Sequence, residues 1–223
     1  MNDVLEKGLM PLSVEEVKKH LDNDAIIVDT RPSSEFTVGF IPESIFIGLE
    51  GRFAEWAGSI LPFDKDIILV SEPGKEKEAV TRLARVGFSR FVGFLNGGIE
   101  AWKAADQELD MIVDVEADEL AMDIPFDENL VVVDVRRETE YADGHVKDAV
   151  NLPLNDMIDP ANMAQFQEDQ NIYVHCAGGY RSVIAASLLK RQGIHNIRNI
   201  LGGWAKIKEQ EKIQTDKEKS VLN

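Results

Sequence analysis

The sequence contains few of the residues that build disulfides and metal centres. Its 223 residues include one cysteine, Cys176, and four histidines that are scattered without the spacing of metal ligands. One cysteine cannot form an internal disulfide, and it excludes metal sites that need several thiolates. We therefore expect no metal, and a lone free thiol fits a reducing compartment such as the cytoplasm.

Positive charge and long apolar runs are also scarce. The 24 Lys and Arg residues are outnumbered by 40 Asp and Glu residues, which gives a formal net charge of −16. Such a chain repels phosphate backbones, so we expect no nucleic-acid partner. No apolar run approaches the ~18 residues of a transmembrane helix, and the N-terminus lacks a basic region followed by an apolar core. The sequence therefore predicts a cytoplasmic protein with no membrane partner.

The chain contains an internal repeat. Matching segments are separated by a constant 105 residues (134 − 29, 144 − 39, 202 − 97). They are Val28-Asp29-Thr30-Arg31 with Val133-Asp134-Val135-Arg136, Gly39-Phe40-Ile41 with Gly144-His145-Val146, and Leu95-Asn96-Gly97-Gly98 with Ile200-Leu201-Gly202-Gly203. Several matches at one separation indicate a tandem duplication. We predict a first domain over residues 1–108, a second over 111–212, and a charged, frayed tail over 213–223.

Each repeat alternates short apolar runs with amphipathic stretches. In the first repeat, residues 66–70 are predicted to form a buried strand, and residues 75–85 a helix that ends at Gly87. In the second repeat, helices are predicted over residues 161–167 and 203–212. The alternation indicates an α/β fold, in which each domain has a central parallel sheet with helices on both faces.

One segment of the second repeat brings the only thiol to a glycine-bearing loop. A predicted strand over residues 171–174 precedes Cys176, and an apolar pattern at helical spacing begins at Val183. Helix N-terminal N–H groups, and loop N–H groups that two glycines allow to curl inward, attract negative charge. We therefore predict that Cys176 is a nucleophile whose thiolate form is stabilised. The loop that would hold the transferred sulfur comprises Ala177, Gly178, Gly179, Tyr180, Arg181 and Ser182.

Several of these residues also have a purely structural explanation. Free cysteines are among the most buried residues, but the glycines, the arginine and the adjacent helix start favour a catalytic Cys176. Arg181 either orients the loop or binds an anionic donor, and Tyr180 either packs or contacts an acceptor. His175 precedes the cysteine on a strand, so its side chain is expected on the opposite face as a packing residue.

The second repeat resembles the rhodanese family in four consecutive motifs. They are Asp134-x-Arg136, Glu140-Tyr141-x-x-Gly144-His145-Val146, Cys176-x-x-Gly179-x-Arg181-Ser182 and Gly202-Gly203-Trp204. Two such domains in tandem resemble two-domain sulfurtransferases. An inactive domain before an active one also resembles the C-terminal half of metallo-β-lactamase-fold persulfide dioxygenases fused to rhodanese domains. That resemblance implies a fused or partner metallo-β-lactamase-fold domain.

The resemblance implies a sulfurtransferase that works through a persulfide on Cys176 and needs no cofactor. A small donor, thiosulfate or a persulfide, would give its outer sulfur to the thiolate, and a thiol or cyanide would accept it. Four residues separate Cys176 from Arg181; the similar loops of protein tyrosine phosphatases and arsenate reductases have one more. A shorter ring of N–H groups suits a single sulfur atom. The alternatives are a non-turnover persulfide carrier or thiol redox-sensing module, and a phosphatase.

The first repeat departs from the family pattern at the thiol. The aligned position is Ser71, and it is followed by the negative charge of Glu72 and by Pro73, which has no N–H to donate. We therefore predict that the first domain is catalytically inactive and has a structural role. Ion pairs with a structural role are expected in both repeats, between Asp29 and Arg31 and between Asp134 and Arg136.

Overall fold

A computed structural model describes residues 2–218 of the chain. The chain divides into two compact units, Met1–Met111 and Ile112–Asn223. The division falls beside the short polar segment at residues 106–110, which the sequence indicates as a linker between the predicted domains 1–108 and 111–212. Between residues 2 and 218, no helix has both the length and the apolar content that crossing a membrane requires.

The first unit is built around a five-stranded sheet. In chain order its elements are α1 (Asn2–Gly8), β1 (Pro11–Leu12), α2 (Val14–Asp22), β2 (Ile26–Asp29), α3 (Ser33–Val38), β3 (Ile45–Phe46), α4 (Phe53–Ile60), β4 (Ile67–Val70), α5 (Glu76–Arg85), β5 (Phe91–Leu95) and α6 (Gly98–Ala104). The strands lie in the order β1-β5-β4-β2-β3. All four neighbouring pairs are parallel, which places helices between successive strands.

The second unit repeats this arrangement and adds to it. Its elements are β6 (Val113–Val115), α7 (Ala117–Asp123), β7 (Leu130–Asp134), α8 (Glu138–Ala142), β8 (His145–Val146), β9 (Val150–Asn151), a 3₁₀ helix (Leu154–Ile158), α9 (Pro160–Met163), β10 (Asn171–His175), α10 (Tyr180–Arg191), β11 (Ile197–Ile200), α11 (Gly203–Ile207) and β12 (Thr215–Asp216). The parallel sheet has the order β6-β11-β10-β7-β9, and β12 pairs with β8 in a separate antiparallel ribbon. The two sheet orders correspond strand for strand.

The central strands of both sheets are buried on both faces. In β4, all four side chains from Ile67 to Val70 are fully buried. Because successive side chains of a strand point to opposite faces, each face of the sheet must be covered. In the second unit, one core cluster joins Leu120 of α7, Tyr173 of β10 and Ile207 of α11. The predicted fold class, a parallel sheet flanked by helices in each domain, is confirmed.

Two predicted helices are shorter than expected. The helix predicted over 161–167 ends at Met163, because the Gln167 N–H donates to the Gln170 side chain (2.9 Å), which offers the backbone an alternative to the helix. The helix predicted over 203–212 ends at Ile207. There the chain turns, with the Gln210 N–H donating to the Ile207 carbonyl at 3.0 Å, and Ile213 enters the core that contains Ile207.

The prediction of a frayed tail over 213–223 is wrong for residues 213–216, and residues 219–223 lie outside the described part of the chain. Ile213 is buried, and Thr215–Asp216 pair with His145–Val146 in the antiparallel ribbon. The first unit has a matching pair, since Phe40 and Asp110 form an antiparallel bridge with both hydrogen bonds at 2.9 Å. The segment predicted as a linker and the segment predicted as a tail are therefore corresponding parts of the repeat, because each pairs with an earlier segment of its own unit.

Candidate active site

Cys176 directly follows the middle strand of the second sheet. β10 is paired with β7 on one side and with β11 on the other, and His175 lies in register with Asp134. The carboxyl ends of parallel strands lie at the same edge, where open α/β sheets bind their ligands. The end of β7 brings Asp134 to this edge, and the turn after β11 brings the glycine pair 202–203. The fold thus brings the Asp-x-Arg motif and the glycine-pair motif to the edge at which the thiol lies.

The loop after β10 curls around the sulfur atom. The Gly179 N–H donates to Cys176 Sγ at 3.1 Å. Gly179 has φ +111°, a left-handed conformation that favours glycine. Ser182 Oγ lies 3.7 Å from Sγ and donates to the Gly179 carbonyl at 3.1 Å, which holds the loop closed. Cys176 itself is only 1% exposed, so the sulfur lies at the base of the loop.

The remaining residues of the loop lead from Cys176 into α10. Gly178 is exposed, and a Cβ at this position would meet no atom within 4 Å. The Ala177 carbonyl accepts the Ala205 N–H at 3.2 Å, which ties the loop to the neighbouring turn. Tyr180 is the first residue of α10. This helix has 12 residues, and the positive end of its dipole faces the loop that contains the thiol.

Arg181 uses its guanidinium fork to hold a carboxylate. Its Nη1 and Nη2 donate to Oε2 and Oε1 of Glu140 at 2.7 and 2.8 Å. This bond lowers the pKa of Glu140 to about 2 and raises the pKa of Arg181. Of the two roles that the sequence leaves open for Arg181, the geometry favours orienting the loop. Sequence reasoning missed the partner, although Glu140 occupies a position that recurs as Glu35 in the first repeat.

The Asp-x-Arg segment forms the same buried ion pair in both units. Arg136 Nη2 donates to Asp134 at 2.6 Å and to the Gly144 carbonyl at 2.7 Å. In the first unit, Arg31 Nη2 donates to Asp29 at 2.7 Å and to the equivalent glycine carbonyl at 2.9 Å. The predicted ion pairs are therefore confirmed, and each one fastens the end of a strand to the turn after the following helix.

His175 is a packing residue in this geometry. It is fully buried, its Nε2 lies 3.6 Å from Asp134 Oδ2, and its Nδ1 lies 3.2 Å from the Cys176 carbonyl oxygen. Burial lowers the pKa of His175, although the Asp134 carboxylate acts in the opposite direction, so burial favours the neutral ring. These contacts agree with the expectation from strand alternation that the ring lies away from the thiol.

The repeated glycine pair brings a second backbone segment against the thiol loop. The Trp204 N–H donates to the Cys176 carbonyl at 2.7 Å. Gly203 has φ +55°, and a Cβ at this position would lie 2.2 Å from the Cys176 carbonyl oxygen. Only glycine permits so close an approach. Sequence reasoning missed this contact, and the recurrence of the glycine pair as Gly97-Gly98 does not by itself reveal it.

The first unit arranges the equivalent position differently. Ser71 is buried, and its Oγ lies 2.7 Å from Thr30 Oγ1, so its hydroxyl is engaged with the neighbouring strand end. The helix that follows begins at Glu76, with Lys75 as its N-cap residue. A Cβ on Gly98 would lie 3.6 Å from the Ser71 carbonyl oxygen, an ordinary contact. The close backbone approach at Gly203 thus belongs to the unit with the thiol.

Comparison with known proteins identifies both units. The family model of the rhodanese-like domain matches residues 13–105 and again 116–210. A sulfurtransferase from Allochromatium vinosum is 29% identical over 99 residues, which cover 43% of this chain and 91% of that protein. A tRNA uridine(34) hydroxylase from Buchnera aphidicola is 32% identical over 82 residues, which cover 35% of this chain and only 26% of that protein. The rhodanese-like domain of an Anabaena protein, solved by NMR, is 26% identical over 51% of this chain and 85% of that chain, with a TM-score of 0.44.

Proposed function

This chain belongs to the rhodanese family, and on that premise we propose that it is a sulfurtransferase that carries sulfane sulfur on Cys176. The observation that supports this most directly is the sulfur atom itself, which accepts the Gly179 N–H at 3.1 Å at the head of α10. A hydrogen-bond donor and a helix dipole aimed at one sulfur favour negative charge there. The name of the Allochromatium relative agrees with this activity.

The proposed reaction is a two-step covalent transfer. The Cys176 thiolate attacks the outer sulfur of the donor, and a new S–S bond forms as the donor's own bond to that sulfur breaks. The leaving group, sulfite from thiosulfate or a thiolate from a persulfide, departs with the bonding electron pair. A thiol or cyanide then attacks the outer sulfur of the Cys176 persulfide and regenerates the thiolate. No outside oxidant or reductant is needed.

The loop supports this chemistry through its backbone. The Gly179 N–H that contacts Sγ is positioned before the reaction starts, so it can stabilise charge on sulfur without rearranging. With four residues between Cys176 and Arg181, the ring of N–H groups is small. We propose on this ground that the loop holds a single terminal sulfur rather than a tetrahedral phosphate.

We propose that the first unit is catalytically inactive. Ser71 replaces the cysteine, its hydroxyl is engaged with Thr30, and the following Glu72 carries a negative charge. Pro73 also removes one N–H donor from this loop. The first unit has the same strand order as the second and the same type of buried ion pair, Asp29–Arg31, which supports a structural role for it. The lone thiol fits a reducing compartment, and we propose that the protein acts in the cytoplasm. A fused or partner metallo-β-lactamase-fold domain stays a prediction, and the length of the gene product would test it.

One experiment separates the candidate activities. The protein is incubated with thiosulfate or with a persulfide, and mass spectrometry tests for one added sulfur on Cys176; cyanide is then added and thiocyanate is measured. We expect an adduct and repeated turnover, and Cys176→Ser should abolish both. An adduct without turnover would favour the carrier or redox-sensing module. No adduct from any donor, together with hydrolysis of a phosphate ester, would replace the proposal with a phosphatase.

A further inference from the structure

We propose that a cleft in the first unit binds a small indole-type ligand, a planar bicyclic ring with an N–H donor and no anionic group. The cleft has a volume of about 280 Å³ and is lined by Arg31 and by residues of α3 and α6. This volume is near the lower end of small-molecule sites, about 300–1,000 Å³, and it suits a ligand of one or two rings. The inference is independent of sulfur transfer, and it gives a binding role to the unit that lacks the thiol.

The second unit shows which group fits the equivalent position. Trp204 lies 105 residues after Ile99. Its ring lies over Arg136, whose guanidinium carbon is 4.7 Å from the ring centre. The same ring covers Gly144, where a Cβ would lie 3.1 Å from Cζ2 of Trp204. In the second unit, an indole ring of the protein itself therefore packs against the arginine and the glycine.

The first unit has no ring at this position. Arg31 and Gly39 correspond to the two residues that the Trp204 ring contacts, and both line the cleft. Among the described residues, no aromatic ring lies over the Arg31 guanidinium. A Cβ on Gly39 would meet only Leu109 Cδ1, at 3.4 Å. Because isoleucine at position 99 is smaller than tryptophan, the space of the missing ring is open to a flat ligand of indole size.

Arg31 offers this ligand a flat surface and one donor. The residue is 4% exposed, and its Nη2 is bonded to Asp29 at 2.7 Å and to the Gly39 carbonyl at 2.9 Å. Its Nε also donates to Asp29, whereas Nη1 donates to no atom of residues 2–218. Guanidinium planes stack on aromatic faces, and such contacts are stronger at sites shielded from water. Because this arginine is already fixed in place, it loses little further freedom when a ring binds.

One carboxylate of the cleft is available to the edge of the ring. The Lys103 ammonium is paired with Glu100 at 2.8 Å, and Arg31 is paired with Asp29. Glu35 lines the cleft and is exposed, and it has no ion-pair partner in the described part of the chain. A carboxylate accepts an N–H and repels a second anion. The ligand therefore has an N–H donor, and a positive charge on it is favoured over a negative one.

Isothermal titration calorimetry on the full chain tests the ligand class. We expect indole to bind with a Kd below about 1 mM, and its addition should shift the amide NMR resonance of Gly39. Benzothiophene has nearly the same shape but no N–H, so it should bind about fivefold more weakly. Tryptamine carries a positive charge and indole-3-propionate a negative one, so tryptamine should bind about threefold more tightly of the two.

Two variants locate the ligand in the cleft. Ile99→Trp copies the second unit and fills the cleft with a ring of the protein, so indole should bind at least about tenfold more weakly. Glu35→Gln keeps an acceptor for the N–H but removes the charge, so tryptamine and indole-3-propionate should then bind about equally. Glu15→Gln makes the same change of charge on α2, outside the cleft, and should alter neither result. Circular dichroism checks the fold of each variant.

The proposal is overturned if indole does not bind the wild type, if a folded Ile99→Trp binds it as tightly, or if benzothiophene binds as well as indole. If Ile99→Trp does not fold, an unchanged preference for tryptamine in Glu35→Gln, or an unshifted Gly39 resonance, overturns it instead. Sulfur loading of Cys176 tests the proposed function separately, so the two proposals can fail independently.

Discussion

Replacing Gly203 by alanine tests whether the close contact with the thiol loop is needed for the site. The added Cβ would lie 2.2 Å from the Cys176 carbonyl oxygen and 2.9 Å from its carbonyl carbon, and both atoms belong to backbone that cannot rotate away. A non-glycine residue in left-handed backbone costs about 1–2 kcal/mol. Forcing extra volume into a packed site adds about 1–3 kcal/mol. We expect Gly203→Ala to lower the free energy of unfolding by about 2–5 kcal/mol in total.

The first unit supplies a matched control for this variant. Gly98 has φ +58°, nearly the same as Gly203, but its added Cβ would lie 3.6 Å from the nearest atom, the Ser71 carbonyl oxygen. Gly98→Ala should therefore lose only the conformational part, about 1–2 kcal/mol. Urea unfolding followed by circular dichroism measures both losses, and sulfur loading of Cys176 should fall in Gly203→Ala alone. Equal losses of stability in the two variants would refute the steric reasoning.

Three further predictions follow from the charges and the repeat. Hydrogen bonding to Arg181 lowers the pKa of Glu140 in the folded protein to about 2, below the ordinary value of 4.5. Glu140 therefore adds stability that is fully present above pH 4.5 and is lost as the pH falls through 2. After the discount for exposure, Glu140→Gln should cost about 1 kcal/mol in urea unfolding at pH 6 and nothing near pH 2. Asp134→Asn leaves the Arg136 cation buried without a charged partner and should cost about 3–5 kcal/mol, measured by thermal unfolding. Ser71→Cys in a Cys176→Ser background should load no sulfur by mass spectrometry, since a thiol alone does not reproduce the loop of the second unit. Loading there would show that the missing thiol alone accounts for the inactivity of the first unit.

The sequence was sufficient to predict the architecture because the signals for it are local and duplicated. Apolar runs of strand length alternate with amphipathic stretches, and one separation of 105 residues aligns the two units. The strand that ends at the thiol loop, over residues 171–174, is observed as Asn171–His175, and the helix after it begins at Tyr180. Strand ends and glycine positions are set by backbone sterics, which a single sequence reveals.

The features that were missed depend on contacts between distant segments. Glu140 and Arg181 are 41 residues apart, and no spacing rule connects a helix start to a loop on another strand. The tail was misjudged because its charged composition outweighed a weak structural signal. That signal existed, because Asp216 pairs with His145 as Asp110 pairs with Phe40. Asp216 lies 106 residues after Asp110, and His145 lies 105 residues after Phe40. The repeat therefore contained the answer, but only once pairing in one unit was known.

The position of the thiol on the central strand has a consequence for motion. β10 is hydrogen-bonded to neighbours on both sides, so its amides open to solvent only when the sheet separates, and we expect them to exchange hydrogen for deuterium among the slowest in the unit. Gly178, by contrast, is exposed, and a Cβ at this position would meet no atom within 4 Å. Any mobility that a sulfur relay requires must then come from the loop and from the extra sulfur that projects beyond Sγ. The strand therefore holds Cys176 in a fixed position, and the motion is confined to the loop and the transferred sulfur.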